Sequence, residues 1–408
     1  MVAPSRSYNI VNEFQPYEAI LKEYYENMTP ENMTYKKHPL LAMLEKNPNL
    51  QGKTFPVPIQ YGNPQGTSNT FSNAKANQSR NRYDKLNLYT TFKYSFATLE
   101  RIMFKAAKSD MGSFVKEATK IIDNSIITHM QQLQADLYGD GSGSIGQVGS
   151  ISGQTITLSN VEDWFKFSKD QTLVFCATKN NGTVSNKVTV SARGTSKSGQ
   201  ITVTGSLAGV SANWFIFRDG DYGNALMGLA GYIPEVAPVS GDNFFGMDRS
   251  NDVEMLSGVR LDAQGSNIIE GLMELASMIE AVEGEPDYVF MNHLDITDVE
   301  KQLTNKIEYT TVDLTTSTGV PIAFKGIKLP THRGEVTIIA DPYQRRRRAH
   351  MLTLKSWELA SIDKIANMID DDGVSMLRTS DQDAFEVRIA SYPQLVCYAA
   401  GHNGVFTW

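Results

Sequence analysis

Apolar residues at Val115, Ala118, Ile122, Ile126, Met130, Leu133 and Leu137 recur every three or four positions, the period of a helix with one buried stripe. The pattern predicts one amphipathic helix over residues 113–138, with Ser113 as N-cap, Glu117 near the first turn and a stop at Gly139. At about 1.5 Å per residue such a helix is roughly 37 Å long, so it should cross most of its domain. Ahead of it, residues 55–61 read as a short strand. Leu86, Leu88, Phe92, Tyr94 and Phe96 then alternate with Asn87, Tyr89, Thr91, Lys93 and Ser95, the period of a half-buried strand. The polar stretch 62–85 between them makes this a long hairpin projecting from the body, with edges that need a partner.

Behind the helix the pattern changes. Residues 141–223 are dominated by Gly, Ser, Thr and Val, with short strands predicted at 154–159, 172–177, 187–192, 200–204 and 213–217. Regular spacing and Gly or Asn turns make this an all-β sandwich or small barrel, inserted between Gly-rich loops. From residue 252 the chain mixes elements. Asn267 and Glu270 have capping-box spacing ahead of a helix carrying Ile268, Leu272, Leu275, Ile279 and Val282. A buried strand at 287–291 precedes a helix near 294–303 capped by Asn292. Strands follow at 322–329, 336–340, 350–357 and 384–398, the last broken by Pro393. The class is α+β, without the βαβαβ regularity of a doubly wound sheet. Residues 1–50 are polar and carry Pro4, Pro16, Pro30, Pro39 and Pro48, with short helical pieces at 16–27 and 39–46. Such a segment buries no core of its own and reads as disordered or as an arm lying along something else.

Composition adds a charge pattern. The chain of 408 residues has room for two or three cores, and 41% hydrophobic with 20% charged residues is ordinary globular usage. A net charge of −7 argues mildly against general nucleic-acid affinity. Yet residues 51–108 carry Lys53, Lys75, Arg80, Arg82, Lys85, Lys93, Arg101, Lys105 and Lys108 against Asp84 and Glu100. A basic segment on an acidic chain points to docking on an acidic neighbour, such as a second copy; a solvated loop is the plainer reading. Arg345, Arg346, Arg347 and Arg348 follow Asp341-Pro342 in a predicted loop. A solvated turn is their first reading, an acidic neighbouring subunit the second, packaged nucleic acid the third.

The search for chemistry is unproductive. Gly141-Ser142-Gly143-Ser144-Ile145-Gly146 spells G-x-G-x-x-G, but it follows a helix and leads into strands, the reverse of a dinucleotide site, and reads as a C-cap and hinge. Asp219-Gly220-Asp221 and Asp370-Asp371-Asp372-Gly373 read as turns, since neither completes a calcium loop. The six histidines lack metal-binding spacing, and His129 reads as part of the polar stripe of the long helix. Cys176 and Cys397 form no CxxC pair, there is no apolar run behind Met1 and no stretch of about 20 apolar residues. No disulfide framework, metal, cofactor, signal peptide or membrane span is expected, and a reducing compartment is.

The order of parts resembles a known family. An arm, a projecting hairpin, a long helix closing on Leu137-Tyr138-Gly139-Asp140-Gly141-Ser142-Gly143, and an α+β body are similar to the major capsid protein of tailed bacteriophages, the Hong Kong 97 fold shared with encapsulin shells. Residues 216–230, 287–292, Asp341-Pro342, Asp371-Asp372-Gly373 and 383–388 resemble successive stretches of that family.

The resemblance implies an N-terminal arm (1–51), an extended loop (52–98), and a peripheral domain with a spine helix (99–140). It further implies an inserted β domain (141–232), a return linker (233–254), an axial domain (255–345) and closing strands (346–408). It implies a non-enzymatic subunit that forms hexamers and pentamers of an icosahedral head around double-stranded DNA, assembled in the host cytoplasm and ending in the virion. Arg80, Arg82, Lys85, Lys93 and Arg345 to Arg348 become candidate intersubunit contacts. A separate scaffolding protein, a portal, decoration proteins and non-specific DNA contact are the implied partners. Some members of the family cross-link subunits through a Lys and an Asn; no residues of this sequence are assigned to that role. The alternatives are an encapsulin-type compartment, against which the Pro-rich arm speaks, a β-rich carbohydrate-binding or tail module, which leaves the long helix idle, and an unrecognised hydrolase.

Overall fold

A computed structural model of the chain describes residues 38–408 apart from 49, 51, 53, 102–110, 304–308, 316–320, 371–372, 374–375 and 380–381. Residues 1–37 of the expected arm, and Asp371-Asp372, therefore lie outside the described residues.

The long helix runs Met111–Leu137. It starts ahead of the expected cap, so Ser113 lies inside it. Ala118, Ile122, Ile126, Met130, Leu133 and Leu137 are all buried, as their spacing predicts. They share one core with the inner faces of the hairpin (Val57, Ile59, Leu86, Leu88) and of the strands behind it (Ala97, Leu99, Ile389, Leu395).

The hairpin pairs Thr54–Gly62 with Arg82–Tyr89. The expected single strand over 86–96 is corrected. It divides at Thr90, and its second part, Lys93–Glu100, pairs instead with Ala384–Ser391. The division also reverses the buried side: Ala97 and Leu99 face the helix, whereas Phe92, Tyr94 and Phe96 are exposed. One more expected strand divides: residues 350–357 split into Arg348–Leu352 and Trp357–Ser361 around a short 3₁₀ turn. The break expected at Pro393 is present, with Ala384–Ser391 before it and Pro393–Cys397, which pairs with Trp357–Ser361, after it.

Six antiparallel strands close into a barrel in the order Phe215–Arg218, Ser144–Ser152, Thr155–Leu158, Gln200–Thr204, Val188–Arg193 and Thr172–Cys176. Its core is its own, built on Ile145, Val148, Phe167, Phe175, Val190 and Ile216. Ser144–Ser152 was expected to be a Gly-rich loop. Gly149 sits at a register shift between Val148 and Ser150, where an added Cβ would lie 3.1 Å from the Ser159 nitrogen. The glycine therefore marks a bulge within a strand rather than a break between strands.

The third core lies under a mixed seven-stranded sheet. Its order is Val259–Asp262, Gly404–Thr407, Arg348–Leu352, Tyr288–Met291, Glu335–Ala340, Pro321–Pro330 and Tyr309–Thr315. Helices Ile268–Ala281 and His293–Leu303 supply Leu272, Leu275, Ile279 and Val299 to it. Asn267 and Asn292 cap them, accepting from the Ile269 and Leu294 nitrogens at 3.0 Å each.

Candidate assembly surface

The hairpin is built as an edge. Pro56 and Pro58 stand two residues apart on the strand Thr54–Gly62 and are exposed, while Val57 and Ile59 point into the core. Two prolines on one side of a strand remove two donors from that side, which is how an edge is kept from unwanted pairing. Beyond Gly62 nearly every residue to Asn81 is exposed, including a short helix, Phe71–Ala76, whose Phe71 is 85% exposed. Arg80, Arg82 and Lys85 are exposed on the returning strand and its approach, and none forms an ion pair with a described residue. Tyr83 and Tyr89 are exposed between and beyond them. The hairpin thus presents cations and rings on one thin projecting element.

Lys93 is placed differently. Its ammonium pairs with Asp136 in the last turn of the long helix, and both side chains are largely buried. Arg218, at the end of the barrel, approaches the same carboxylate at 3.8 Å and pairs with Asp221 at 3.0 Å. This network ties strand, helix and barrel within one subunit. Beside it Phe92 and Tyr94 meet Tyr392 edge-on at 5.7 and 6.2 Å, forming an exposed aromatic ridge. The sequence did contain a signal for that ridge. Ala97 and Leu99 are out of phase with Phe92, Tyr94 and Phe96, so one strand cannot bury both sets.

The four consecutive arginines are mostly held within the chain. Arg346 contacts Glu162 at 3.1 Å, Asp295 at 3.2 Å and Asp298 at 3.6 Å. Arg345 and Arg348 both reach the same oxygen of Glu235, at 3.3 and 2.9 Å. Arg347 takes a left-handed backbone (φ 54°), donates its N–H to Asp295 at 2.9 Å and leaves its side chain exposed. Their nearest carboxylates come from three distant parts of the sequence, which no local pattern reveals.

The end of the long helix is fixed by a buried polar knot. Asp341 Oδ2 accepts from Gln134 Nε2 at 2.6 Å and from the Tyr138 hydroxyl at 2.9 Å, and its Oδ1 accepts from the Tyr343 nitrogen at 2.9 Å. Burial pushes the Asp341 carboxyl up to about 7 against the pull of those donors. His129 is buried rather than on a solvated stripe. Its ring nitrogens bond the hydroxyls of Ser95 at 2.9 Å and Ser391 at 2.7 Å, and Ser391 Oγ also accepts from the Ala366 nitrogen at 2.7 Å. Ser391 therefore has its proton free for Nε2, which favours the neutral ring. Burial, with Lys93 nearby, lowers His129 to about 4.

The Gly-rich end of the helix serves backbone geometry. Gly141 and Gly143 have φ of 80° and 83°, and a Cβ on Gly143 would lie 2.2 Å from the Asp221 carbonyl oxygen. Among the described residues, no group of three His, Cys, Asp or Glu side chains is arranged to hold a metal ion, and no helix is long and apolar enough to cross a membrane.

No sequence-family model matches this chain, and no curated protein matches it in sequence. Solved structures do. A chain of the cyanophage A-1(L) capsid asymmetric unit superposes with a TM-score of 0.55 and 10% identity, covering 91% of this chain and 92% of that one. The fold is that of a phage capsid protein. A capsid chain of an empty GTA particle (TM-score 0.47, 7% identity, 91% and 90% covered) is less similar. So is the SrpI encapsulin of Synechococcus elongatus (0.41, 9%, 91% and 86%), and the fold assignment rests on the cyanophage chain.

Proposed function

We propose that this chain is the major capsid protein of a tailed phage, closing through hexamers and pentamers into an icosahedral head around double-stranded DNA. The observation that carries the reading is the capsid fold shared over 91% of the chain. The hairpin supports it. An element that exposes Phe71 on its short helix and Arg80, Arg82, Tyr83, Lys85 and Tyr89 along its returning strand and the approach to it is a liability for a lone subunit and an asset where a neighbour covers it. Many weak contacts of this kind accumulate through multivalency, so no single patch has to be tight. In this reading the segments 1–51, 52–98, 99–140, 141–232, 233–254, 255–345 and 346–408 act as arm, extended loop, spine-bearing peripheral domain, β insertion, linker, axial domain and closing strands. Further copies of the chain are the main partner. A scaffolding protein, a portal, decoration proteins and the packaged DNA are the others, assembly takes place in the host cytoplasm, and no catalysis is required.

Expression of the chain with and without the neighbouring structural genes of its source, followed by negative-stain microscopy and size-exclusion chromatography, tests this directly. Closed shells or capsomer rings are expected. Persistent monomer under both conditions would overturn the reading, and shells that enclose protein cargo instead of DNA would favour an encapsulin-type compartment.

A further inference from the structure

A cleft of about 160 Å³ opens where the barrel meets the body. Its charged lining is Asp140, Asp163, Lys166, Lys179, Arg345 and Arg348. The pairs within it leave an imbalance. Lys179 pairs with Asp140 at 2.5 Å and Lys166 with Asp163 at 2.6 Å, so each lysine has a carboxylate. The two arginines share one, the Glu235 Oε1 atom at the rim. One positive charge is therefore left over once every carboxylate in or beside the cleft has a partner.

That charge is localised. Arg348 is only 8% exposed, and its Nε is buried with no hydrogen-bond partner among the described residues. A guanidinium presents five N–H donors in a planar fork, and leaving one buried and unmet is costly. Asp140 does not supply the missing acceptor, because its two oxygens already face Lys179 and Ser142. Placing a cation in the cleft would add to the excess, whereas a small anion would cancel it.

We propose that this cleft binds a tetrahedral oxyanion of the phosphate class, held by Arg348 and Arg345 from the body and by Lys179 and Lys166 from the barrel. The cleft has room for one such anion together with water. Guanidinium forks match the edge of a phosphate, and ammonium groups add charge without demanding one geometry. The cations come from both sides of the cleft, so a bound anion adds a link between barrel and body to those made by Arg218 with Asp136 and by Arg346 with Glu162.

The test uses the unassembled full-length chain, so its result does not depend on shell formation. Thermal midpoints are followed against inorganic phosphate, sulfate and chloride at matched ionic strength, with ³¹P line broadening as a second readout. Phosphate is expected to raise the midpoint saturably, sulfate to do so as well, and chloride not. Arg348→Gln risks the fold, so the variants are Arg345→Gln and Lys179→Gln, whose side chains are 52% and 43% exposed. Each should weaken apparent affinity about tenfold, the worth of one charge-assisted contact, while Lys187→Gln, at a barrel lysine that pairs with Asp219 and does not line the cleft, leaves it unchanged. A chloride response equal to that of phosphate, or an undiminished phosphate response in the double variant Arg345→Gln/Lys179→Gln, would overturn the proposal.

Discussion

Asp341→Asn separates two forces that oppose each other at the end of the long helix. The carboxyl is fully buried, and desolvation favours its neutral form. Three donors aimed at its oxygens, from Gln134, Tyr138 and the Tyr343 backbone, favour the ion, as does a further backbone bond from Leu40. Burial prevails, and the group titrates at about 7 when folded against an ordinary value of 3.8. Between those values the folded chain holds a proton that the unfolded chain releases. Stability from this site is therefore greatest below the unfolded pKa and falls by about 1.4 kcal/mol per pH unit as pH rises through that window, roughly 4 kcal/mol in all. In the acidic form the carboxyl proton needs an acceptor, and Gln134 Oε1, buried without a partner, supplies one if its amide turns. Asparagine cannot ionise and places a donor in the same position. Urea unfolding of unassembled protein at half-unit steps from about pH 5 to pH 8 should show the variant gaining on the parent by about 3 kcal/mol across the range. Other titrating groups, His129 and His350 among them, are common to both proteins and largely cancel in the difference. Parallel curves for the two proteins would refute the reasoning, because they would mean that these donors keep the carboxylate ionised throughout.

Three further outcomes are expected. Reversing Arg80, Arg82 and Lys85 to Glu should leave subunit stability within about 0.5 kcal/mol, since all three are exposed, yet abolish shells; normal particles by negative stain would remove the hairpin from the assembly surface. Because burial lowers His129 to about 4, the folded ring stays neutral where the unfolded one takes a proton. Stability should hold above about pH 6.5 and fall by about 3 kcal/mol in total as pH drops to about 4; His129→Gln, compared by urea midpoints, should flatten that part of the curve. Asp136→Asn leaves the largely buried Lys93 without its carboxylate, and Arg218 with Asp221 alone, and should cost about 3–5 kcal/mol by denaturant unfolding, with much of the loss recovered when Lys93→Met is added.

The legible parts of this fold are those set by local period. Ile122, Ile126, Met130 and Leu133 announce their helix because 3.6-residue spacing has one geometric solution over 27 residues. Asn267 and Asn292 announce helix starts because a cap is a contact of two or three residues. The strands were less legible where one run serves two sheets. Residues 86–96 keep one phase except at Thr90, yet Leu88 and Tyr94 belong to different pairings, and the partner that decides this, Ala384–Ser391, lies almost 300 positions away. Ser144–Ser152 was hidden for the opposite reason, since its glycines accommodate a bulge and a close neighbour rather than a turn.

The same distinction governs the functional surface. A run of basic residues is visible in sequence, but whether each cation faces solvent depends on carboxylates brought in by the fold. Arg80, Arg82 and Lys85 remain uncommitted because the hairpin carries them away from the body. Lys93, seven residues beyond Leu86 in the same basic segment, meets Asp136 because its strand returns to the long helix. Arg346 meets Glu162 and Asp295, from the barrel and from a sheet helix, for a similar reason. A charge cluster on this chain is therefore best read by subtraction. What remains after the internal pairs are removed is the hairpin, available to a neighbour, the exposed side chain of Arg347, and the Nε of Arg348 beside the cleft proposed to take a small anion.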